Sequence, residues 1–303
     1  MAGAQLSGSV AQSKRIHHVR REWFTYLVLT LAGIVMLFPF LWMILTSFKS
    51  MAEVNLAPPT LIPREWYPSN YLDAWFKPES TFGRYFLNSL LISVVGTALQ
   101  LLVCVPAAYA FATMEFPGRG VLFIVLLATT MIPAEVTLIP NFVTIRHIPL
   151  VGGNDLFGAG GKGLYDSYAG IMVPYLANPF SIFLLRQQFR TVPRDYWEAA
   201  QLDGTGRLGY LWHVLTPLSI ATLITVVLFG LLSRWNALLW PLLVTSSEGL
   251  RPVQVGLLYF RGEEGSRFHT LMAAATFTAL PGILLYFSAQ KRIVDGLASG
   301  IKG

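Results

Sequence analysis

The sequence predicts an all-α, polytopic integral membrane protein with six membrane-crossing helices, and three observations carry that expectation. Apolar residues make up 54% of the 303-residue chain and charged ones 13%, roughly half the charge of a soluble domain. The stretch 24–45, FTYLVLTLAGIVMLFPFLWMIL, holds no charge over 22 residues, and a helix of about 20 apolar residues crosses the ~30 Å hydrocarbon layer. The apolar blocks lack the short apolar–polar alternation of a strand barrel. Helices are therefore expected throughout, because they satisfy their own backbone amides in lipid.

Taken in order, residues 1–23 read as a mobile polar tail carrying Lys14, Arg15, Arg20 and Arg21. The apolar run that follows is about twice as long as a signal-peptide core and is not followed by a small-x-small cleavage site, so an uncleaved first helix is expected. Five more spans are placed at 88–113, 121–142, 168–185, 217–244 and 268–288, giving a membrane domain over 24–288 and a tail over 289–303. The lone Cys104 falls inside the second span, so no internal disulfide is available. The five histidines lie in tails or at helix ends, without metal spacing or a nucleophile beside them.

The net charge of +6 is explained by topology. The tails, the turn after the second span and the fourth-to-fifth loop from Arg186 onward together carry 12 basic and 6 acidic residues, against 9 and 9 on the other face. Positive charge is retained in the cytoplasm, so the termini and the loop 190–215 are expected there. The basic residues form no patch with interleaved aromatics, and nucleic acid is not expected as a partner.

The loop 190–215 is followed by a proline that opens the fifth span, and it contains Glu198-Ala199-Ala200, then Gly204. With TSFKS, LIPREWYPSNYLDAW, RYFLNSLLIS, AAYAFATMEFPGRG, SRWNALLWPLLV and QKRIVDGLASGIKG in the same order, the chain resembles the permeases of binding-protein-dependent ABC importers over nearly its whole length. It looks like the carbohydrate-uptake branch, specifically the maltose-type subunit with a C-terminal tail. MIPAEVTLIP, LYDSYAGIMVP and WNALLWPLLVT look most like the permeases for glycerol 3-phosphate, and the multiple-sugar permeases share much of them. The resemblance implies the type I importer (MetI-like) permease fold. It also implies a sibling permease, two ATPase subunits holding ATP and magnesium, an extracytoplasmic substrate-binding protein, and no cofactor on this chain.

A coupling helix docking into the ATPase is implied for the polar loop, and its residues suit that role. Pro193 fits a first helical position, and Asp195 complements the helix dipole. Ala199 and Ala200 form helix well and let a partner approach closely. Asp203-Gly204 ends the helix, since glycine turns the chain without a Cβ penalty. A second short helix is expected at 208–215. A pair between Arg194 and Glu198 is worth only about 0.3–0.5 kcal/mol at a surface, which points Glu198 toward a partner. Gln290, Gly296 and Gly300 mark a tail that in the resembling subunit reaches between the ATPases. The glycine-rich 152–165 departs from a phosphate loop at Leu156 and Gly163 and reads as a flexible outer loop.

Charged residues at membrane depth usually face a cavity or a partner. Glu135 and Arg234 are the two such positions, each about 24 Å along its span at the usual rise. With Trp235, Asn236 and Asn88 they are the candidate solute path. Polar residues in membrane helices also bond neighbouring helices, and Gln100 shares that ambiguity. The rival reading is a secondary transporter driven by an ion gradient, which is expected to show paired repeats and midplane carboxylates.

Overall fold

The computed structural model describes residues 3–76, 81–262 and 267–300, with the backbone course alone for 3–22, 259–262, 289 and 291–300. All regular structure among the described residues is helical. In chain order the helices are α1 (Gly3–Ser47), α2 (Met51–Val54), α3 (Ser69–Phe76), α4 (Phe82–Thr113), α5 (Arg119–Ala128), α6 (Ala134–Arg146), α7 (Tyr168–Met172) and α8 (Pro179–Thr191). Then follow α9 (Asp195–Leu202), α10 (Arg207–Tyr210), α11 (Thr216–Leu218), α12 (Ile220–Trp235), α13 (Leu239–Val244), α14 (Val253–Gly262) and α15 (Phe268–Gly300).

Three stretches, Trp23–Ser47, Phe82–Thr113 and Phe268–Ser288, are long and apolar enough to cross a bilayer as straight helices. The total is six if each of three bent helix pairs counts as one span. The N-terminal segment departs from the mobile tail expected of it. It is helical from Gly3, continuous with the first span, and α15 runs on to Gly300. Gly296 and Gly300 thus lie on a helix, while Lys302 and Gly303 fall outside the described residues.

The three bends have local causes that apolarity alone hides. Within the predicted 121–142 span, Pro133 pushes Ile132 out of the helical region to ψ 120°, and the helices on either side meet at 108°. The fourth span breaks at Asn178, whose side chain caps α8 by accepting from the Ser181 amide, with Pro179 in the first turn. The pieces meet at 46°. At the entrance to the fifth span, α10 continues through a π-helical turn, Leu211–Leu215, into α11. An 85° bend at Ser219 then leads into α12.

The centre is a three-helix contact in which α4 packs against both α8 and α12. Small residues allow the close approach: a Cβ on Gly230 of α12 would come 2.9 Å from the Thr97 side chain of α4. At one end, Tyr109, Leu185, Phe189, Tyr210 and Leu211 form a buried cluster beneath α9. At the other, Phe82, Trp235, Val253 and Ala273 join α3, α4, α12 and α15. The apolar part of α1 lies along α15 and is otherwise exposed.

Candidate functional site

The first two of these bends and the junction of α12 with α13 converge on a cavity of about 550 Å³. Its wall includes Ala134 and Glu135 after the first bend, Tyr175, Asn178 and Ser181 around the second, and Ser233, Arg234 and Asn236 to Leu239 where α12 gives way to α13. Irregular backbone at membrane depth is tolerated where it lines such a cavity. The polar groups are Gln100, Glu135, Asn178, Ser181, Ser233, Arg234 and Asn236. Aromatic wall is supplied by Phe180 edge-on to Phe229 (5.8 Å) and Tyr175 edge-on to Trp240 (5.8 Å).

Arg234 organises this wall. Its Nη1 donates to Gln100 Oε1 (2.5 Å) and Gly230 O (3.3 Å), and its Nη2 donates to Tyr175 O (3.1 Å). The Tyr175 carbonyl belongs to the broken turn between α7 and α8, so Arg234 satisfies a group that the break leaves open. Gln100 in turn donates to Ser181 Oγ (2.8 Å), and Cys104 Sγ approaches Leu176 O (3.4 Å), so α4 holds the same break from its other side. Among the described residues no ion pair joins Glu135 to Arg234.

Of the predicted path, Glu135, Arg234 and Asn236 line the cavity. Glu135 is not deep in a straight span: the 108° bend precedes it, and it stands in the first turn of α6. Asn88 and Trp235 do not line the cavity, and both are committed to packing. Asn88 is buried, donates to Gly249 O (2.9 Å) and Arg251 O (3.0 Å), and accepts from Tyr168 Oη (2.7 Å). Trp235 Nε1 donates to Thr278 O (3.1 Å) of α15, and its ring meets Phe86 at 5.2 Å. Sequence reasoning missed Asn178, Ser181 and Ser233. The Asn-Pro-Phe-Ser run at 178–181 is the signal that marks the first two.

The second candidate surface is α9. Its end is a glycine-closed turn: Thr205 N donates to Ala200 O (2.8 Å) and Gly204 N to Gln201 O (3.0 Å), with Gly204 at φ +76°. A Cβ at Gly204 would meet nothing within 4 Å, so glycine is required by the backbone and not by space. The helix begins at Asp195, two residues after Pro193, with Arg194 at its cap position.

Ala200 is 6% exposed and packs toward Tyr210 and Phe189, so it faces the protein's own core and leaves only Ala199 for a partner. Glu198, Ala199 and Asp203 are exposed, Leu202 is 91% exposed and Leu208 70%. Among the described residues no ion pair joins Arg194 to Glu198. Gln290 is exposed on α15.

The opposite end carries two clasped loops. Asp166 accepts from the Ser246 and Ser247 amides (2.9 Å each) and from Ser247 Oγ (2.5 Å). Partial burial raises its pKa, but those bonds and Lys162 outweigh this and hold it below 3.8. The glycine-rich loop is compact where a flexible one was expected. Asn154 donates to Arg146 O and Ile148 O (2.9 Å each) and accepts from Gly161 N, and Phe157 is presented 89% exposed.

Comparison with known proteins bears on the chain as a whole. Residues 104–299 match the family model described as binding-protein-dependent transport system inner membrane component. The chain is 29% identical over 300 residues to the diacetylchitobiose uptake system permease protein NgcG of Streptomyces coelicolor, covering 98% of this chain and 92% of that one. It is 28% identical over 285 residues to the sn-glycerol-3-phosphate transport system permease protein UgpE of Yersinia pestis, covering 92% and 96%. Its fold matches a chain in the crystal structure of a bacterial ABC transporter involved in the import of the acidic polysaccharide alginate. There the TM-score is 0.77 at 26% identity, covering 92% of this chain and 97% of that one.

Proposed function

The chain belongs to the family of binding-protein-dependent transport system inner membrane components, transporter parts and not enzymes, and from that premise we propose that it is the permease subunit of an ATP-driven importer for a short, polyhydroxylated carbohydrate. The observation that carries the solute class is the composition of the cavity wall. Aromatic faces alternate with neutral hydrogen-bonding groups around a volume of about 550 Å³, within the usual range for small-ligand sites.

Among the described residues Arg234 is the one cation of that wall and Glu135 the one carboxylate. Three hydrogen bonds from the Arg234 guanidinium already go to protein oxygens. A phosphate dianion is best held by several free guanidinium or ammonium donors, which favours a neutral oligosaccharide over glycerol 3-phosphate.

In this reading α9 faces the cytoplasm, as do both termini. Its exposed face, Ala199, Leu202 and Asp203 with Glu198, docks on one of two ATPase subunits that hold ATP and magnesium. The last stretch of α15, from Gln290 to Gly300, supplies a second contact. The clasped loops at the other end receive the solute from its binding protein, and a sibling permease covers the exposed apolar side of α6. ATP-driven closure of the motor then moves α9, and the helix breaks around the cavity let the bundle alternate between faces.

The test is uptake into proteoliposomes holding the assembled complex. Neutral di- to pentasaccharides, glycerol 3-phosphate and glycerophosphodiesters are compared with and without ATP. ATP-dependent accumulation of a saccharide is expected. Accumulation of the phosphate compounds alone overturns the solute class, and accumulation driven by an ion gradient without ATP overturns the mechanism.

A further inference from the structure

A second cavity, of about 350 Å³, lies at the root of α9, where α4 and α8 end. Among the described residues four arginines line it, Arg119, Arg190, Arg194 and Arg207, against the single carboxylate of Glu115. Among the described residues no ion pair within 4 Å engages any of them. Arg119 is partly held, its Nη1 donating to Met114 O (2.7 Å), while the other three are exposed at the rim. A fifth guanidinium stands behind: Arg186 stacks over the Phe123 ring at 3.9 Å and donates to Phe111 O (3.1 Å).

Such a gathering is repulsive unless something negative occupies its centre. Glu115 offers one charge, and Asp195 and Glu198 are not part of the wall. The wall also has an apolar side, formed by Phe189, Trp197 and Tyr210. Thr113 and Phe189 lie at or near the ends of two packed transmembrane helices, so the cavity opens at the level of the lipid headgroups.

We infer that this cavity binds a phosphate ester, and that the ester is the headgroup of an anionic phospholipid. Planar guanidinium forks match phosphate oxygens, and basic pockets where transmembrane helices meet the aqueous phase bind anionic headgroups. The bound headgroup touches Arg194 at the start of α9 and Trp197 one turn on, so it props the helix at a set angle to the bilayer. This goes beyond the solute cavity and does not depend on which carbohydrate is carried.

The experiment uses the assembled complex in nanodiscs of equal phosphatidylcholine and phosphatidylglycerol, followed by native mass spectrometry of the lipids that stay bound. Wild type is expected to retain phosphatidylglycerol selectively. Replacing two cations together, Arg190→Gln with Arg207→Gln, is expected to weaken that retention about thirty-fold, and the corresponding Lys pair to restore most of it. Should the double variant fail to assemble, Arg190→Gln alone is read in the same way, with about a five-fold loss expected.

A parallel arm titrates inorganic phosphate against the complex in pure phosphatidylcholine and follows its thermal stability. Stabilisation that the Gln pair abolishes, without retained phosphatidylglycerol, keeps the phosphate-ester site and assigns it to a soluble ligand. Equal lipid retention and an equal phosphate response in wild type and the Gln pair overturn the inference.

Discussion

Arg234 crosses the bare backbone of Gly96: a Cβ at Gly96 would lie 2.6 Å from Arg234 Nε and 2.9 Å from its Cδ. The contact is with the middle of the side chain, so it is not relieved by moving the guanidinium alone. A methyl group there forces Arg234 off its bonds to Gln100 and Tyr175, each a charge-assisted bond of about 1.5–3 kcal/mol. Gly96→Ala is therefore expected to lower ATP-driven uptake roughly ten-fold or more while leaving the amount of assembled complex unchanged. Arg234→Lys is expected to fail in the same way, because a point charge cannot bridge both acceptors. Transport at the wild-type rate in Gly96→Ala would remove the clasp from the cycle.

The two alanines of α9 separate by the side they face. Ala200 lies against the cluster containing Tyr210 and Phe189, so Ala200→Leu overpacks a buried site and costs about 1–3 kcal/mol. Ala199 is exposed, and Ala199→Leu is expected to leave thermal stability within about 0.5 kcal/mol yet weaken binding of the ATPase subunits. Melting curves of the isolated permease pair, set beside pull-down of the ATPase, check both. Equal loss of stability in the two variants contradicts the assigned faces.

Gly204 closes α9 in the left-handed region at φ +76°, where an L side chain costs about 1–2 kcal/mol. Gly204→Ala is expected to loosen this turn and lower solute-stimulated ATP hydrolysis several-fold. Gly204→Asn should be milder, since asparagine tolerates that conformation. Because a Cβ there meets nothing within 4 Å of the chain, any further loss with large residues measures what the partner cannot accommodate.

The long apolar blocks at 24–45, 88–113 and 268–288 were legible because their length alone requires a membrane. The bent spans were half legible. Ile132-Pro133 and Asn178-Pro179 carry the stop and cap signals of P-containing turns, but both are buried in apolar runs whose average hides them. Glu135 and Arg234 stood out as charges in oily surroundings, and both reach the cavity.

Asn88 is equally polar and equally embedded, yet its partners are Gly249 and Arg251, about 160 positions away along the chain. No local pattern announces that register. The same holds for Ala200 against Ala199, where burial depends on where Tyr210 returns, and for Gly96, whose role exists only once α4 and α12 are in contact.

Asn88 gives a prediction of its own. Removing its side chain takes one donor from Gly249 O, which keeps Arg84 Nε (3.0 Å), and one from Arg251 O, and takes an acceptor from the Tyr168 hydroxyl. Asn88→Ala is expected to destabilise by about 2–3 kcal/mol without changing the concentration of solute that half-saturates uptake. A shifted half-saturation with unchanged stability would return Asn88 to the solute path.

Glu53 controls how the segment after α1 responds to acid. It is buried and accepts from Thr60 Oγ1 (2.7 Å) and from the Arg64 amide (3.0 and 3.2 Å). Lys49 donates to the Thr60 carbonyl and lies 4.7 Å over the Trp42 ring. Burial pushes the Glu53 carboxyl upward, but the Thr60 hydroxyl, the Arg64 amide and the charges of Lys49 and Arg64 outweigh it and hold its pKa below the ordinary 4.5. The unfolded chain therefore takes up this proton at a higher pH than the folded one. The stabilisation from the carboxylate is complete above about 4.5 and disappears as pH falls through the lower folded value. Glu53→Gln is expected to melt below wild type at neutral pH, and the gap between the two is expected to close as the buffer is taken under 4.5. Melting temperatures of the assembled complex across that range decide it: a gap that stays constant assigns the stabilisation to the shape of the side chain and not to its charge.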